Sequence, residues 1–304
     1  MTSPPLVFDR ARLVRNLQRR PPGHDDFVTS LVLYDLEERL LAVTRNIERA
    51  LIMAPDAAVL PARGQTRNGS FAFARAGTLV APGGALLLDP ETLSLPHADY
   101  DLIVSVLDLQ VVNDVPGFLA RIRRHLRPDG LFLAAAIGGA SLIELRRAFV
   151  AADAEISGGA FARVAPFIDV GDAGGLLQRA GFALPVADVE PHSVRYAHPI
   201  ALMQELKALG ASNPLADRPS RLATSTLLAA ASRAYQEIAA DDDGRVRASL
   251  EIVWISGWAP DDSQQKPLAR GSAQVSLAKV LGNKADPRAF SGKVDATFPF
   301  RKRD

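Results

Sequence analysis

"YDLIVSVLDLQVVNDVPGFLARIRRHLRPDGLFLAAAIGG", Tyr100 to Gly139, decides the fold. It opens and closes on apolar runs, "YDLIVSVL" and "LFLAAAIGG". Neither run alternates polar with apolar residues, so both read as strands buried on two faces, as in a parallel sheet. The segment between carries helix punctuation. Asn113 or Asp114 stands at the cap position and Pro116 in the first turn. Arg123, Arg124, His125 and Arg127 crowd the negative end, and Pro128 with Gly130 stops the helix. Strand, helix and parallel strand form the repeating unit of a doubly wound sheet.

Working toward the N-terminus, three more short apolar runs precede this unit: "LIMA", "FAFA" and "ALLLD". Before them, "DDFVTSLVLYDLEERLLAVTRNIERAL" repeats apolar residues at helical spacing behind Asp25 and Asp26, which predicts a long helix. "RRPPGHDD" breaks the chain ahead of that helix. The arginine-rich N-terminus reads as a solvated basic helix, because it carries Asp9 and lacks the apolar centre of a signal peptide.

Toward the C-terminus, Ser141 with Glu144 three residues later reads as a capping box, opening the helix "SLIELRRAFVAADAEI". A short helix ends at Gly181, "LPVADVEPHSVRYA" reads as two strand segments, and two helices follow, one ending near Gly210. "ASLEIVWISGWAP" is a long strand able to close the sheet. The segment from Asn283 has no sustained period and reads as a flexible tail.

Bulk composition excludes several chemistries. The 304 residues contain no cysteine, so disulfides, thiolate catalysis and zinc–thiolate sites are ruled out. Net charge is +1, which gives no basis for whole-surface binding to nucleic acid. No run approaches the ~18 apolar residues of a membrane span. His192 and His198 stand six apart without an acid cluster, so no metal site is expected. No Gly-x-Ser-x-Gly is present.

The layout Asp89, then Tyr100-Asp101 opening a strand, then Arg127-Pro128-Asp129-Gly130 before another strand, resembles the middle of a class I S-adenosylmethionine-dependent methyltransferase. "GGASLIELR", "ARGSAQVSL", Gly257-Trp258 and the early "FDR" are similar to the respiratory complex I assembly-factor branch of that superfamily, which is related to the biotin-pathway malonyl-carrier-protein methyltransferases. The resemblance covers roughly residues 8–280. It implies an α/β doubly wound, mostly parallel, seven-stranded methyltransferase-like sheet with an inserted helical cap. The expected boundaries are a basic segment over 1–25, the domain over 26–282 with cap elements near 141–170 and 198–240, and a tail over 283–304.

What the resemblance implies for function is a protein that uses S-adenosylmethionine and acts on a protein partner, a complex I subunit, at an arginine. Ala54, Asp56, Asp89, Pro90 and Ser105 are the implied cofactor positions, and Glu144 and Arg146 the candidate catalytic pair. The early "FDR" favours a bacterial cytoplasmic protein over a mitochondrial precursor.

The residues also depart from the family pattern. A glycine-rich turn should follow the first strand, so that backbone can approach the cofactor closely. Here the matching stretch is "MAPDAA", Met53 to Ala58. The second strand should end in an acid for the ribose, and "FAFARAG" offers Arg75 and Gly77. Asp89, the third element, is kept. A cofactor-free relative that assists assembly is the alternative these departures suggest. Trp258 reads as core, and Arg270 as a candidate for a partner groove.

Overall fold

A computed structural model describes residues 6–220 and 222–265. The tail and the "ARGSAQVSL" block with Arg270 lie outside the described residues. The described residues up to Asp262 fold as one unit.

Seven helices and eight strands follow in chain order among the described residues. They are α1 (Arg10–Gln18), α2 (Phe27–Leu41), β1 (Ala50–Asp56), β2 (Arg63–Thr66), β3 (Gly69–Val80), β4 (Leu86–Leu87) and β5 (Tyr100–Val106). Then come α3 (Val115–His125), β6 (Leu126–Ile137), α4 (Ile143–Ser157), α5 (Val170–Arg179), β7 (Ala183–Tyr196), α6 (Pro199–Ala208), α7 (Ser225–Ala239) and β8 (Val246–Trp258).

The sheet runs β3-β1-β5-β6-β8-β7, with β2 and β4 both paired to the outer side of β3. β3, β4, β1, β5 and β6 are parallel, and β8 alone reverses within the main sheet, antiparallel to both β6 and β7. This is the doubly wound, mostly parallel methyltransferase-like sheet, with β2 added as an antiparallel arm on β3.

Side-chain alternation sends the two faces of each strand to different cores. Leu51 and Met53 pack under α3 and α5, while Ala50, Ile52 and Ala54 pack under α2. Phe118, Leu119 and Ile122 of α3 are wholly buried on the first face, and Leu36 and Leu40 of α2 on the second. Each such side chain contributes roughly 1.5–3 kcal/mol of burial.

Four expectations need correction. The predicted capping box is absent: Leu142 holds the cap position of α4 in the left-handed region, and Ser141 and Glu144 bond to β8 instead. "LPVADVEPHSVRYA" is one 14-residue strand, because its prolines sit on the open edge of the sheet, where no ladder bond is needed. β8 lies inside the sheet rather than closing it. α1 is also more than a solvated helix, since it buries Leu13 and Asn16.

β7 and β8 pair as far as Tyr196↔Val246, well beyond the end of β6 at Ile137↔Ile252. The overhang carries the helical cap. Leu145, Ala148, Leu202, Tyr235 and Ala239 of α4, α6 and α7 pack there on Val246 and Ala248.

Candidate functional site

The carboxyl ends of β1, β5 and β6 face the cap across a cavity of about 720 Å³. Ala54, Pro55 and Asp56 of β1 contribute to its wall, as do Val106 and Ile137. α1, α4 and α6 supply mainly leucines, such as Leu13, Leu145 and Leu202. This is where ligands of open α/β sheets bind.

The turn after β1 sets the site's chemistry. β1 passes into a single 3₁₀ turn, Ala57–Val59, then into β2 and the hairpin to β3. No helix starts there. A helix at this point would offer a row of free N–H groups and a positive dipole end to a ligand. Asp56 points back into the turn, accepting from Ala58 N at 2.9 Å, and pairs with Arg20 at 3.7 Å.

Above the end of β1, two neighbouring strands join hands. Thr78 of β3 donates its hydroxyl to Asp108, just past β5, at 2.5 Å. β1 lies between these strands, and Thr78 Oγ1 also stands 3.5 Å from Ala54 O. The chain turns at Leu107, which adopts a φ of 51° that side chains rarely accept. Thr78 and Asp108 are both buried. Burial pushes the Asp108 carboxyl up to about 6, against the opposing pull of Thr78 and Arg10.

The N-terminal segment covers this bridge. Arg10 Nη2 donates to Thr78 O at 2.5 Å, and Arg10 Nε lies 4.0 Å from Asp89. Val7 N and Phe8 N both donate to Asn113 Oδ1 at 2.8 Å, and Phe8 pairs with Leu215. Arg20 anchors the far end on Leu209 O, Asp26 and Asp56.

S-adenosylmethionine does not fit these residues in the manner the fold uses. The backbone approach is closed by Pro55 and the 3₁₀ turn. The space above β1 is crossed by the Thr78–Asp108 bond and covered by Arg10. β3 runs on to Val80, so Arg75 sits mid-strand opposite Ile52, and Leu79-Val80-Ala81 provides no acid at the strand's end.

The implied positions are scattered. Ala54 and Asp56 reach the cavity. Asp89 is half-exposed and caps Glu91 N, while Pro90 O accepts from Arg121. Ser105 is buried within the sheet opposite Met53, its hydroxyl without a partner, and does not reach the cavity. Glu144 takes the hydroxyl of Ser249 at 2.5 Å and its amide at 3.2 Å. Arg146 donates to Ala165 O. Glu144 therefore ties α4 to β8, whereas Arg146 ties α4 to the loop that precedes α5.

Asp114 caps α3 as expected, but Asn113 clamps the N-terminal segment. His198 caps α6, and no group of His, Asp or Glu able to hold a metal occurs among the described residues. Trp258 is half-buried, with the Arg45 guanidinium 5.6 Å from its ring centre. Residue-by-residue reading missed Arg10, Thr78 and Asp108. Asp108 carried a signal, an acid directly past a buried strand, but its partner lies thirty residues earlier on another strand.

A methyltransferase-domain family profile matches residues 70–134. The arginine-hydroxylase NDUFAF5, mitochondrial, of Danio rerio is 39% identical over 66% of this chain and 62% of its own length. The human protein of that name is 39% identical over 66% of this chain and 57% of its own. The malonyl-[acyl-carrier protein] O-methyltransferase of Laribacter hongkongensis is 38% identical over 66% and 62%. The chain thus spans about half to six-tenths of the curated relatives it matches. Phosphoethanolamine N-methyltransferase 2 of Haemonchus contortus, solved with S-adenosyl-L-methionine, aligns at 12% identity and a TM-score of 0.40, over 83% of this chain and 57% of that one. The expectation of a bacterial cytoplasmic protein does not stand, because the arginine-hydroxylase relatives carry a mitochondrial designation. No helix among the described residues is long and apolar enough to cross a membrane.

Proposed function

We propose, for a chain that belongs to the class I methyltransferase superfamily in its complex I assembly-factor branch, that it serves assembly by acting on a protein partner without S-adenosylmethionine. The observation that carries this is the Thr78–Asp108 bond across the end of β1, beneath Arg10. A buried polar ligand loses ~1–3 kcal/mol for each hydrogen bond the site leaves unmade. With the turn, the ribose acid and the helix start all replaced, a micromolar cofactor site has no support here. The partner is a subunit of respiratory complex I. Native-gel analysis of cells lacking the chain tests this: assembled complex I falls and returns with the wild-type gene. An unchanged level would contradict the proposal.

The names of the arginine-hydroxylase relatives favour a second reading, modification of an arginine on that subunit. Peptide mass spectrometry of the subunit, from cells with and without the chain, separates the two. One added oxygen or methylene that depends on the chain supports modification. Unmodified arginine in both supports a purely binding role.

A further inference from the structure

We propose that the cavity under the cap binds a single hydrocarbon chain with an anionic head, the chemistry shared by fatty acids and lysophospholipids. This goes beyond the assembly role and does not depend on it.

The wall is the first reason. Leucine and valine dominate it, and aromatic residues are few. A planar nucleoside base calls for stacking surfaces and polar edges, and this wall is poor in both. Flexible aliphatic walls suit a flexible aliphatic occupant.

The polar side chains on the wall are the second reason. Ser141 is bonded to Glu251, Ser249 to Glu144 and Arg163 to Asp153. Asn213 is held by Ala162 O and Leu215 N. Asp26 and Asp56 both face Arg20. Gln110 donates to Leu107 O and leaves its Oε1 without a partner, so a polar or charged ligand group inside would give up its water for few free partners, which is costly. A guanidinium would meet Asp26 and Asp56 where both already share Arg20, at 3.8 and 3.7 Å.

The rim supplies the head-group chemistry. Lys207 is exposed, borders the cavity one turn past Met203, and has no carboxylate within 4.0 Å among the described residues. Tyr196 stands on the same wall with its hydroxyl pushed up to about 12 by burial and by the Glu205 carboxylate, itself 3.4 Å from His24, so the phenol remains a neutral donor. An ammonium and a phenol beside an apolar cavity match a carboxylate or phosphate on an alkyl chain.

Size is compatible with a small ligand. The cavity holds about 720 Å³, within the ordinary range for small ligands.

The test is a fluorescence titration of cis-parinaric acid into the full chain, with palmitate, 1-palmitoyl-lysophosphatidate, decanol and S-adenosylmethionine as competitors. Saturable binding displaced by palmitate, by lysophosphatidate or by both supports the proposal, and the stronger competitor identifies the source. Met203→Trp, which fills the cavity, should weaken binding at least about tenfold. If that variant does not melt cooperatively, Leu206→Trp replaces it. Lys207→Glu should weaken the anions about tenfold while decanol competes as before. The proposal is overturned if the folded wild type shows no saturable binding, or if the folded tryptophan variant binds undiminished. Displacement by S-adenosylmethionine alone would also overturn it.

Discussion

Asp108 makes one residue readable in a pH titration. Its folded carboxyl sits near 6, against an ordinary value of 3.8, because burial penalises the charge. A raised carboxyl contributes stability that is fully present below the unfolded value and is lost as pH rises through the folded one. The two-unit displacement corresponds to roughly 3 kcal/mol between pH 4 and pH 7. Urea midpoints of wild type and Asp108→Asn across that range should differ in slope, with the variant flatter. Parallel curves would show that Asp108 is not buried as described. Arg163 offers a second residue-scale test. Its partner Asp153 is fully buried, and Arg163→Ala leaves that carboxylate uncompensated. Denaturation should show a loss of about 3–5 kcal/mol.

At the scale of elements, strands buried on both faces announced themselves as apolar runs, and helices through caps and stops. What stayed illegible depended on distant partners. The arm β2 is only four residues long and carries no apolar run of its own. β7 was broken in two by its prolines because nothing in the sequence marks it as an edge strand. Glu144 looked like a capping carboxylate, since its real partner Ser249 lies 105 residues away. Gly77 tests the outer edge of the sheet. A Cβ there would stand 1.8 Å from Val80 O, which is backbone and has little room to yield. Gly77→Ala should therefore destabilise by about 1–3 kcal/mol or more by denaturant midpoint. A neutral substitution would mean that β3 bends differently near Val80.

For the whole molecule, the doubly wound sheet was legible from Tyr100 to Gly139 alone, and the loss of the glycine turn was legible from Pro55. Invisible in sequence was the consequence of that loss. The crossover from β1 to β3 has no helix, and the chain's own N-terminal segment lies over the Thr78–Asp108 bond at the carboxyl end of the sheet. The candidate catalytic pair was legible only as residue types; the fold uses Glu144 to fasten α4 to β8 and Arg146 to hold the loop before α5. These features together support the proposal that the chain acts without S-adenosylmethionine. Isothermal titration of the full chain with S-adenosylmethionine tests that most directly. The expected result is no saturable heat up to millimolar ligand, whereas a saturable isotherm in the micromolar range would contradict it.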